Sequence, residues 1–388
     1  MAEPKIRFKR DDGSSYPAWK KHSVGDMTTE LTEYMPLACG MPLLTSARTG
    51  LMFQDEYRGK NSTENEDTMF SVVPRGAVTY RHMSDDNIFH FNINELVDAG
   101  LVSKEYPVFN IVNGNNTKLL VEYLNSSGQF LEYCKAQKKG GTRTRLYFKV
   151  LKDFKMLFPC PEEQQKIADF LFSVDEVIAT SEKEVANLEA QKQAAMKKIF
   201  SQEVRFKRED GNDFPKWEEK KLEDVVEFLD GRRKPIETSD RLPGPYPYYG
   251  ASGITDYVAD YIFDEDLILL SEDGANIIDR NYRVCFIARG KYWVNNHAHV
   301  LRANNDCVNE YICEYLESLD YSRMNSGSAQ PKLNQQTCRN IRIMAPCKEE
   351  QQLIADFFSD FDEAIAAAKK ELELWKKLKK SLLQQLFV

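Results

Sequence analysis

Two long stretches of the chain place an apolar residue at nearly every third or fourth position. The first stretch has this pattern at Ile167, Leu171, Val174, Ile178, Ser181, Val185, Leu188, Lys192, Ala195 and Ile199. The second has it at Ile354, Phe358, Phe361, Ile365, Ala368, Leu372, Trp375, Lys379, Leu382 and Leu386. Spacing of this kind puts one apolar seam along a helix and predicts that the helix pairs with a partner helix.

The two seams correspond position by position, and each contains a lysine, Lys192 in the first and Lys379 in the second. One polar residue in a seam can fix the register of paired helices at some cost in stability. We therefore expect the two helices to pair with each other. The alternative is that each is an amphipathic helix on a separate domain.

The same motif opens both helices. Pro-Cys-Pro-Glu-Glu-Gln-Gln-Lys-Ile-Ala-Asp-Phe occupies residues 159–170, and Pro-Cys-Lys-Glu-Glu-Gln-Gln-Leu-Ile-Ala-Asp-Phe occupies residues 346–357. Proline at position 161 suits the first turn of a helix, and paired glutamates suit its positive end. Helix capping, and not catalysis, is the expected role of these carboxylates.

Shorter segments that precede each helix are also duplicated. The segment that begins at Ile6 recurs at Val204, and Trp19 has a counterpart in Trp217. Glu-Tyr-Leu occurs at 122–124 and again at 314–316, and a Gly-rich stretch occurs at 140–146 and 327–333. The ends of the two copies match, whereas their middles barely match. This pattern predicts a shared scaffold that carries two divergent surfaces.

Between the matched ends, the local pattern is mixed. Short β-type runs at 69–73, 108–112, 267–270 and 292–294 are bounded by turn residues, and short helices are expected at 118–124 and 308–319. We therefore predict an α+β fold with two globular parts and an internal repeat. The predicted domains are residues 1–155, a helix at 156–203, residues 204–342, and a second helix at 343–388.

Composition narrows the possible functions. The 388 residues suffice for two or more domains, and 42% hydrophobic with 29% charged residues is typical of a soluble protein. We expect no membrane segment and a cytoplasmic location, because no long apolar run or signal core is present. The eight cysteines form no Cys-x-x-Cys pair, which fits reduced thiols. The net charge of −8 is unusual for a protein that binds DNA alone.

Catalytic and cofactor motifs are missing from the sequence. We find no phosphate-binding Gly-x-x-x-x-Gly-Lys-Ser/Thr loop and no convincing nucleophile–base arrangement, so we predict no catalysis, no cofactor and no metal. His297 and His299 stand two residues apart, which places them on one face of a strand and could supply half of a metal site. Since no third ligand is apparent, a hydrogen-bonding role or contact with a base is the preferred interpretation.

The matched segments together resemble a known family. Trp19 and Trp217 near the start of each copy, the Gly-rich stretch at 327–333, and the Glu-Glu-Gln-Gln motif leading into a heptad helix are similar to the specificity (S) subunit of type I restriction-modification systems. Residues 293–301 also resemble a strand of such a target-recognition domain. The first Gly-rich stretch, at 140–146, departs from the pattern, so its contacts are expected to differ.

The resemblance implies an architecture and a set of partners. It implies two target-recognition domains separated by an antiparallel two-helix coiled coil with a pseudo-two-fold relation. The expected function is non-catalytic recognition of an asymmetric bipartite target in double-stranded DNA, with one half-site per globular domain. Expected partners are two methyltransferase subunits and the restriction/translocase subunits. The outer faces of the helices, together with the Glu-Gln-Gln segments, are the expected docking surface.

Cationic, amide and hydroxyl side chains in Gly-containing loops are the candidates for DNA contact, because such groups bind phosphates and base edges. The candidates in the first globular part are Ser46, Arg48, Thr49, Arg75, Tyr80, Arg81, Lys138, Lys139, Arg143 and Arg145. Those in the second are Arg232, Arg233, Lys234, Tyr249, Ser252, Asp273, Asn276, Asn296, His297, Gln330 and Lys332. The alternative for each is a solvated surface residue; Tyr246 and Tyr248 are predicted to be core residues.

Two other functions remain open on the sequence. The chain could be an adaptor whose duplicated globular parts bind proteins and do not read DNA, as the net charge of −8 would allow. It could also be an enzyme with an unfamiliar site, which would require turnover by the isolated chain. A specificity subunit would bind DNA in a sequence-dependent way, whereas an adaptor would be indifferent to the DNA sequence.

Overall fold

A computed structural model describes residues 4–58, 65–138, 140, 143–325, 327 and 330–387. The predicted DNA-contact residue Lys139 lies outside the described residues. The chain divides into two compact units: unit 1 comprises Met1–Glu182 and Glu371–Val388, and unit 2 comprises Lys183–Lys370. Within the described ranges, no helix is both long enough and apolar enough to cross a membrane.

Both units contain helices and strands. The helices are α1 (Val24–Met27), α2 (Gln54–Arg58), α3 (Thr117–Ser126), α4 (Gly128–Ala136), α5 (Phe148–Leu151), α6 (Pro161–Phe200), α7 (Leu222–Val225), α8 (Asn276–Asp279), α9 (Asn309–Ser318), α10 (Gln335–Arg339) and α11 (Lys348–Leu386). The predicted short helices correspond to α3 and α9. The predicted domain boundaries remain a prediction, because the division into units falls inside α6 and α11.

Unit 1 contains small, mostly antiparallel sheets. Its strands are β1 (Lys20–Ser23), β2 (Thr28–Leu31), β3 (Tyr34–Pro36), β4 (Leu44–Ala47), β5 (Gly50–Phe53), β6 (Met69–Pro74), β7 (Val78–Tyr80), β8 (Met83–Ser84), β9 (Phe91–Ile93), β10 (Ala99–Ser103), β11 (Val108–Ile111), β12 (Thr144–Arg145) and β13 (Lys155–Phe158). The larger sheets have the strand orders β2-β11-β7-β9 and β10-β6-β3. Pairs β1-β13, β4-β5 and β8-β12 complete the unit.

The main core of unit 1 joins its sheets to the helices. Phe109 and Phe91 from the four-stranded sheet pack with Leu120 of α3, and Ile167 of α6 belongs to the same buried cluster. The α3 helix begins there because the side chain of Asn116 accepts a hydrogen bond from the backbone N–H of Leu119. The helices therefore contribute directly to the main core, and two smaller apolar clusters, around Val73 and Phe70, lie beside the other strands.

Hairpin β4-β5 lies against strand β10 in unit 1. A Cβ atom on Gly100 would come within 2.4 Å of Leu44 Cδ1, so a larger residue would require the buried Leu44 side chain to move. The backbone N–H of Leu101 also donates to the carbonyl of Pro42 (2.9 Å). These contacts fix the position of a hairpin that carries several candidate site residues.

Unit 2 has the same kind of sheets with different loops. Its strands are β14 (Glu218–Lys221), β15 (Val226–Phe228), β16 (Pro243–Gly250), β17 (Gly253–Val258), β18 (Phe263–Asp264), β19 (Leu267–Ser271), β20 (Cys285–Ala288), β21 (Lys291–Val294), β22 (Ala298–Ala303) and β23 (Arg342–Ala345). Two four-stranded sheets have the orders β15-β22-β19-β20 and β17-β16-β21-β18, beside the pair β14-β23. Of the tyrosines predicted to be core residues, Tyr248 is buried, whereas Tyr246 is half-buried against Tyr261.

The seam residues of α6 and α11 are all buried or half-buried, as the heptad pattern predicts. In unit 1, Lys379 of α11 lies 2.8 Å from Asp175 of α6. Glu182, which follows Asp175 by seven residues in α6, pairs with Lys376 at 2.8 Å. Because the residue numbers rise on one helix as they fall on the other, the two helices run antiparallel within unit 1.

Within unit 2 the two helices again run antiparallel. Lys369 pairs with Glu189 at 2.7 Å, and Asp362 pairs with Lys192 at 2.7 Å. Met196 and Ile199 of α6 belong to the same buried cluster as Ile354 and Phe358 of α11. Each unit is thus closed by a short antiparallel helix pair.

The second glutamate of the repeated motif forms the joint between helix and globular part. Glu163 in unit 1 is fully buried and accepts hydrogen bonds from Arg7 Nη2 (2.7 Å), Arg7 Nε (3.0 Å) and Trp19 Nε1 (3.0 Å). A charge buried this deeply is tolerated only when it is paired and hydrogen-bonded. The joint therefore ties the start of the chain to the first turn of α6.

Unit 2 has the same joint. Glu350 is fully buried and accepts from Arg205 Nη2 (2.6 Å), Arg205 Nε (3.1 Å) and Trp217 Nε1 (3.0 Å). In both copies the arginine also donates to the carbonyl of a proline, Pro17 at 2.6 Å or Pro215 at 2.7 Å. The duplicated tryptophan, arginine and glutamate of the sequence are thus one structural element.

The following glutamine of the motif is buried as well. Gln164 donates to the carbonyl of Pro159 and accepts from the backbone N–H of Asn116 (2.9 and 2.8 Å). Gln351 makes the equivalent bonds to Pro346 and Val308 (2.9 and 3.0 Å). The expectation that the Glu-Gln-Gln segments serve as a docking surface is therefore wrong for these residues, because their polar groups are used inside each unit.

Candidate nucleic-acid interface

A cavity of about 540 Å³ opens on the surface of unit 1. Hairpin β4-β5 and the loop regions around 81–90 and 103–106 form its walls. Four of the predicted DNA-contact residues line it: Ser46, Arg48, Thr49 and Arg81. The fold thus brings together side chains that lie more than thirty positions apart in the sequence.

Ion pairs fix the walls of this cavity. Arg48 Nη2 lies 2.5 Å from Asp86 Oδ2, and Asp86 also accepts from the hydroxyl of Ser84 (2.7 Å). The hydrogen bond from Arg48, followed by that from Ser84, lowers the pKa of Asp86 to about 2. Arg143 Nε donates to Asp85 (2.8 Å). Arg48 and Arg143 are therefore largely neutralised by their partners.

Arg81 and Arg145 offer the available positive charge in this region. Both are exposed, and neither has an ion-pair partner within the described parts of the chain. Strand β12 pairs with β8 so that Arg145 lies opposite Met83, which lines the cavity. Two guanidinium groups at the rim of a polar cavity are suited to phosphate oxygens or to the O6 and N7 atoms of guanine.

Other lining residues were not predicted from the sequence. They include Tyr57, His90, Ser103, Glu105 and Tyr106. Burial and the nearby Arg48 lower the pKa of His90, so its ring is neutral near pH 7 and offers one donor and one acceptor. These residues come from separate segments, including helix α2 and the end of strand β10, and no local sequence pattern indicates that they meet.

Three predicted residues of unit 1 lie elsewhere. Tyr80 is fully buried and its hydroxyl donates to the carbonyl of Leu146 (2.9 Å); its prediction as a DNA contact is wrong, because the ring belongs to the core. Arg75 lies at the opposite end of β7 from Arg81 and pairs with Asp98 (3.0 Å). Lys138 is exposed just beyond α4 and does not line the cavity.

Unit 2 gathers its candidates in a group of loops, which we name the loop cluster: Lys234, Ser252, Asp273, Asn296, His297 and Lys332. Backbone contacts hold these loops together. The N–H of Lys234 donates to Val294 (3.3 Å), the N–H of Gly274 donates to Pro331 (3.0 Å), and Asp273 and Lys332 form a β-bridge. Ser271 Oγ donates to the carbonyl of Ala251, next to Ser252.

Histidines 297 and 299 have different surroundings. Strand β22 begins at Ala298, so His297 lies in the preceding turn, and the expectation that both histidines share one strand face is wrong. The His297 side chain is half exposed, with Nδ1 2.9 Å from Asp273 Oδ2. A histidine–carboxylate pair at the surface offers both a donor and acceptors for a base edge.

His299 is buried and connects two of the segments next to the loop cluster. Its ring is buried, with Nδ1 2.7 Å from Asp230 Oδ2 and Nε2 2.8 Å from the carbonyl of Leu333. Burial alone would lower the pKa of His299, but the hydrogen bonds to Asp230 and Cys338 raise it to about 10. A protonated ring donates from both nitrogens, so it links Asp230 to the loop that carries Lys332.

The remaining candidates of unit 2 are used inside the unit or stand alone. Arg233 is mostly buried and binds Glu272 (2.7 Å) and the carbonyl of Ala298 (2.8 Å). Arg232 forms an ion pair with Glu265 (2.8 Å). The side-chain oxygen of Asn276 accepts a hydrogen bond from the backbone N–H of Tyr282. Tyr249 packs against Phe286 and Tyr292. Gln330 is exposed in the loop of Lys332.

Metal ligation has no support in the described ranges of the chain, where no three His, Cys, Asp or Glu side chains are grouped so that they could hold an ion. His299, which together with His297 was considered above as half of such a site, uses both ring nitrogens for protein contacts.

Comparison with known proteins gives consistent matches. A family model described as the type I restriction modification DNA specificity domain matches residues 78–190 and 215–374, which is more than half of the chain. The match occurs twice, once in each copy of the internal repeat.

Individual relatives cover parts of the chain. A relative from Haemophilus influenzae is 34% identical over 127 residues, which cover 33% of this chain and 32% of that protein. The MjaVIII specificity subunit of a type I restriction enzyme from Methanocaldococcus jannaschii is 29% identical over 202 residues, covering 48% of this chain and 46% of its own. Each alignment thus spans less than half of the relative's length.

Two solved structures share the fold. The S subunit of a type I restriction-modification system from M. genitalium aligns over 100% of this chain and 99% of its own, with a TM-score of 0.62 and 17% identity. A chain from a structural study of complex assembly and conformational transition in the type I R-M system aligns over 96% and 98%, with a TM-score of 0.56 and 16% identity.

Proposed function

The chain belongs to the family of the type I restriction modification DNA specificity domain, and we propose from this membership that it is the DNA-recognition subunit of a restriction-modification complex. Its own task is to bind a defined sequence in double-stranded DNA, while methylation and cleavage belong to partner subunits. The observation that carries the proposal is the contrast within the repeat. Both units have the same joint, but they present different polar side chains on their surfaces.

Unit 1 reads one half-site through its cavity and the rim arginines. Arg81 and Arg145 contact guanine or phosphate, and Ser46, Thr49 and His90 add neutral donors and acceptors. The ion pairs of Arg48 with Asp86 and of Arg143 with Asp85 link the walls at exposed positions.

Unit 2 reads the other half-site through the loop cluster. Asp273 accepts from the amino group of cytosine or adenine, His297 and Asn296 add further hydrogen bonds, and Lys234 and Lys332 contact phosphates. Because these side chains differ from those of unit 1, the two half-sites differ. The target is therefore an asymmetric, bipartite sequence.

The helices α6 and α11 set the distance between the half-sites. We infer a continuous antiparallel coiled coil with a pseudo-two-fold relation between the repeats. This is supported by the complete burial pattern of both seams and by the antiparallel order of the ion pairs inside each unit. A helix of 40 residues is about 60 Å long, which is enough to separate half-sites by one turn of DNA, about 34 Å.

Two methyltransferase subunits and the restriction/translocase subunits are the proposed partners. They dock on the outer faces of the helices, where Phe172, Leu374 and Leu378 expose apolar surface in unit 1. Partners that approach DNA themselves would also supply phosphate contacts, which a chain with a net charge of −8 needs.

The test is selection of bound duplexes from a randomised DNA library by the chain assembled with its methyltransferase partner. The proposal predicts two enriched, different half-sites at a fixed separation. A control assembly without the chain should enrich no sequence. Enrichment of a single continuous site, or no enrichment at all, would contradict the proposal.

An adaptor function is the second candidate, because the chain is acidic overall and two arginines, Arg48 in the cavity and Arg143 near it, are paired with aspartates. An adaptor would bind its partners equally well with any DNA or none. Retention of the assembly on unrelated duplexes with unchanged affinity would favour it.

A further inference from the structure

A buried lysine from α6 meets two carboxylates in unit 2. Lys192 Nζ lies 2.7 Å from Asp362 Oδ1 of α11 and 3.0 Å from Glu314 Oε2 of α9. The side chains of Lys192 and Glu314 are only 7% and 8% exposed. Arg283 joins the group through Asp362 (3.1 Å) and Glu314. The two cations and two carboxylates balance one another.

The equivalent group in unit 1 uses a lysine from α11. Lys379 Nζ lies 2.8 Å from Asp175 Oδ1 of α6 and 3.7 Å from Glu122 Oε1 of α3. Burial raises the pKa of Glu122, and Lys379 opposes this effect. We call each lysine with its two carboxylates a lysine triad: Lys192 with Asp362 and Glu314, and Lys379 with Asp175 and Glu122.

The triads are copies of each other with the lysines exchanged between repeats. Each carboxylate has its counterpart in the other triad: Glu122 and Glu314 begin the repeated Glu-Tyr-Leu segment, and Asp175 and Asp362 occupy equivalent positions of the two helices. In each unit, the lysine comes from the helix of the other repeat. The globular part and helix of one repeat therefore bind a lysine that the other repeat supplies; in unit 2, Arg283 of the same repeat shares the two carboxylates.

No neighbouring seam position can replace either lysine. Sliding one helix by a heptad moves the lysine by about 10 Å and brings a residue seven positions away to the carboxylates. Around Lys192 these residues are Val185 and Ile199, and around Lys379 they are Leu372 and Leu386. A shifted register would place apolar side chains against Glu314 and Glu122, whose carboxylates are mostly buried, and this is unfavourable.

Other ion pairs between the helices do not select one register. Lys376 with Glu182 and Lys369 with Glu189 are close, at 2.8 and 2.7 Å, but their side chains are about half exposed. Water and salt can replace such contacts at little cost. These pairs therefore serve as matched controls for the triads.

We propose that Lys192 and Lys379 fix the register of the helix pair, and that through this register they determine the number of base pairs between the two half-sites. The first part concerns the chain alone. The second part rests on the proposed function of the helices as the spacer between half-sites, so the two parts need separate tests.

The register is measured by cysteine cross-linking in the full chain. Glu182→Cys with Lys376→Cys reports the native register. Glu182→Cys with Lys369→Cys, and Glu189→Cys with Lys376→Cys, report slips of one heptad in either direction. Cross-linked peptides are identified by mass spectrometry. We expect the off-register products to rise at least tenfold when Lys192→Met and Lys379→Met are combined, because the seam then becomes apolar throughout and no longer selects one alignment.

The arginine variants and the total yield of cross-links provide two further tests of the register role. Lys192→Arg with Lys379→Arg keeps the charges and should leave off-register cross-links at the level of the native chain. Equal off-register cross-linking with methionine and lysine would overturn the register role. Loss of every cross-link in the methionine variant would overturn it too, since an apolar seam should still pair.

The spacer is measured by binding of the assembled complex to duplexes whose half-sites are moved closer or farther by one to three base pairs. The preference for the native spacer should fall at least tenfold in the double methionine variant. The control variant with Lys369→Met and Lys376→Met should keep it within twofold. A relaxed register with an unchanged spacer preference would leave the register role intact and refute the spacer function of the helices.

Discussion

The two units agree closely where they join their helices and differ where they face solvent. The arginine–glutamate contact of the joint measures 2.7 Å in unit 1 and 2.6 Å in unit 2, and the tryptophan contact measures 3.0 Å in both. The side chains of the cavity in unit 1 and of the loop cluster in unit 2 do not correspond in this way. Repetition has preserved the contacts that attach each globular part, while the residues available to a ligand have diverged.

The candidate surfaces also differ in what holds them in place. The cavity of unit 1 is braced by ion pairs near the surface, such as Arg48 with Asp86. The loop cluster of unit 2 rests on a buried group in which His299 bonds Asp230 and Arg233 bonds Glu272. Buried pairs resist salt better than exposed pairs, so we expect the surface of unit 2 to be the more rigid of the two.

The largest effect should come from removing the carboxylate of either joint. Glu163→Ala or Glu350→Ala leaves an arginine and an indole N–H without their buried acceptor, which should cost about 3–5 kcal/mol of unfolding free energy. Denaturant unfolding of each variant measures this cost. Glu162→Ala, at the exposed neighbouring position in the first turn of α6, should shift the transition far less than either joint variant. A large loss in one unit and none in the other would contradict the equivalence of the joints.

Titration of His299 should give the next largest effect and should distinguish the units. Its pKa of about 10 in the folded chain lies above its ordinary value of 6.5, so its stabilising contribution is complete below pH 6.5 and disappears as pH rises towards 10. The unfolding free energy of unit 2 should therefore fall by at most about 1.4 kcal/mol per pH unit across this range.

The matched variant for this titration is His299→Gln, which can still bond the Leu333 carbonyl but does not titrate. It should be less stable at pH 6.5 and should lose less stability than the native chain between pH 6.5 and 10. A parallel decline in both proteins would show that other groups cause the pH dependence.

Arg81→Ala should weaken recognition of one half-site only. Loss of a guanidinium contact with a base typically costs about 1–3 kcal/mol, or roughly 5-fold to more than 100-fold in affinity. Competition binding with duplexes altered in one half-site at a time measures the effect. Arg75→Ala, at the other end of β7, is the control and should bind normally. Equal loss at both half-sites would contradict separate reading by the two units.

The smallest effect should come from the exposed pair between the helices in unit 1. Replacing Lys376 and Glu182 with alanine should leave the denaturation midpoint unchanged within error, because exposed pairs are screened by water and salt. Replacement of Lys379 in the same unit should lower the midpoint measurably. If both changes act alike, burial does not explain the difference between the two kinds of pair.

Local periodicity predicted the helices and several strands well. The seams of α6 and α11, the strands around 69–73 and 267–270, and the helices α3 and α9 all follow from patterns within one segment. The joint could not be predicted in this way. Arg7 and Glu163 are 156 residues apart, and the duplicated sequence shows only that both recur, not that they touch.

The candidate surfaces were predicted only in part, because a charged or aromatic residue in a loop can face either the core or the solvent. Tyr80 follows two buried strand residues and continues into the core, whereas its neighbour Arg81 points to solvent. His297 and His299 differ because the strand begins between them. Glu105 and His90 reach the cavity through tertiary folding, for which the local sequence carries no signal.

The most direct test of the account is a chimera in which residues 20–145 are replaced by the equivalent segment of another family member, assembled with the methyltransferase partner and used to select duplexes from a randomised library. The account predicts that one half-site changes completely while the other half-site and the separation stay the same. A change in both half-sites, or in neither, would contradict recognition by two independent units.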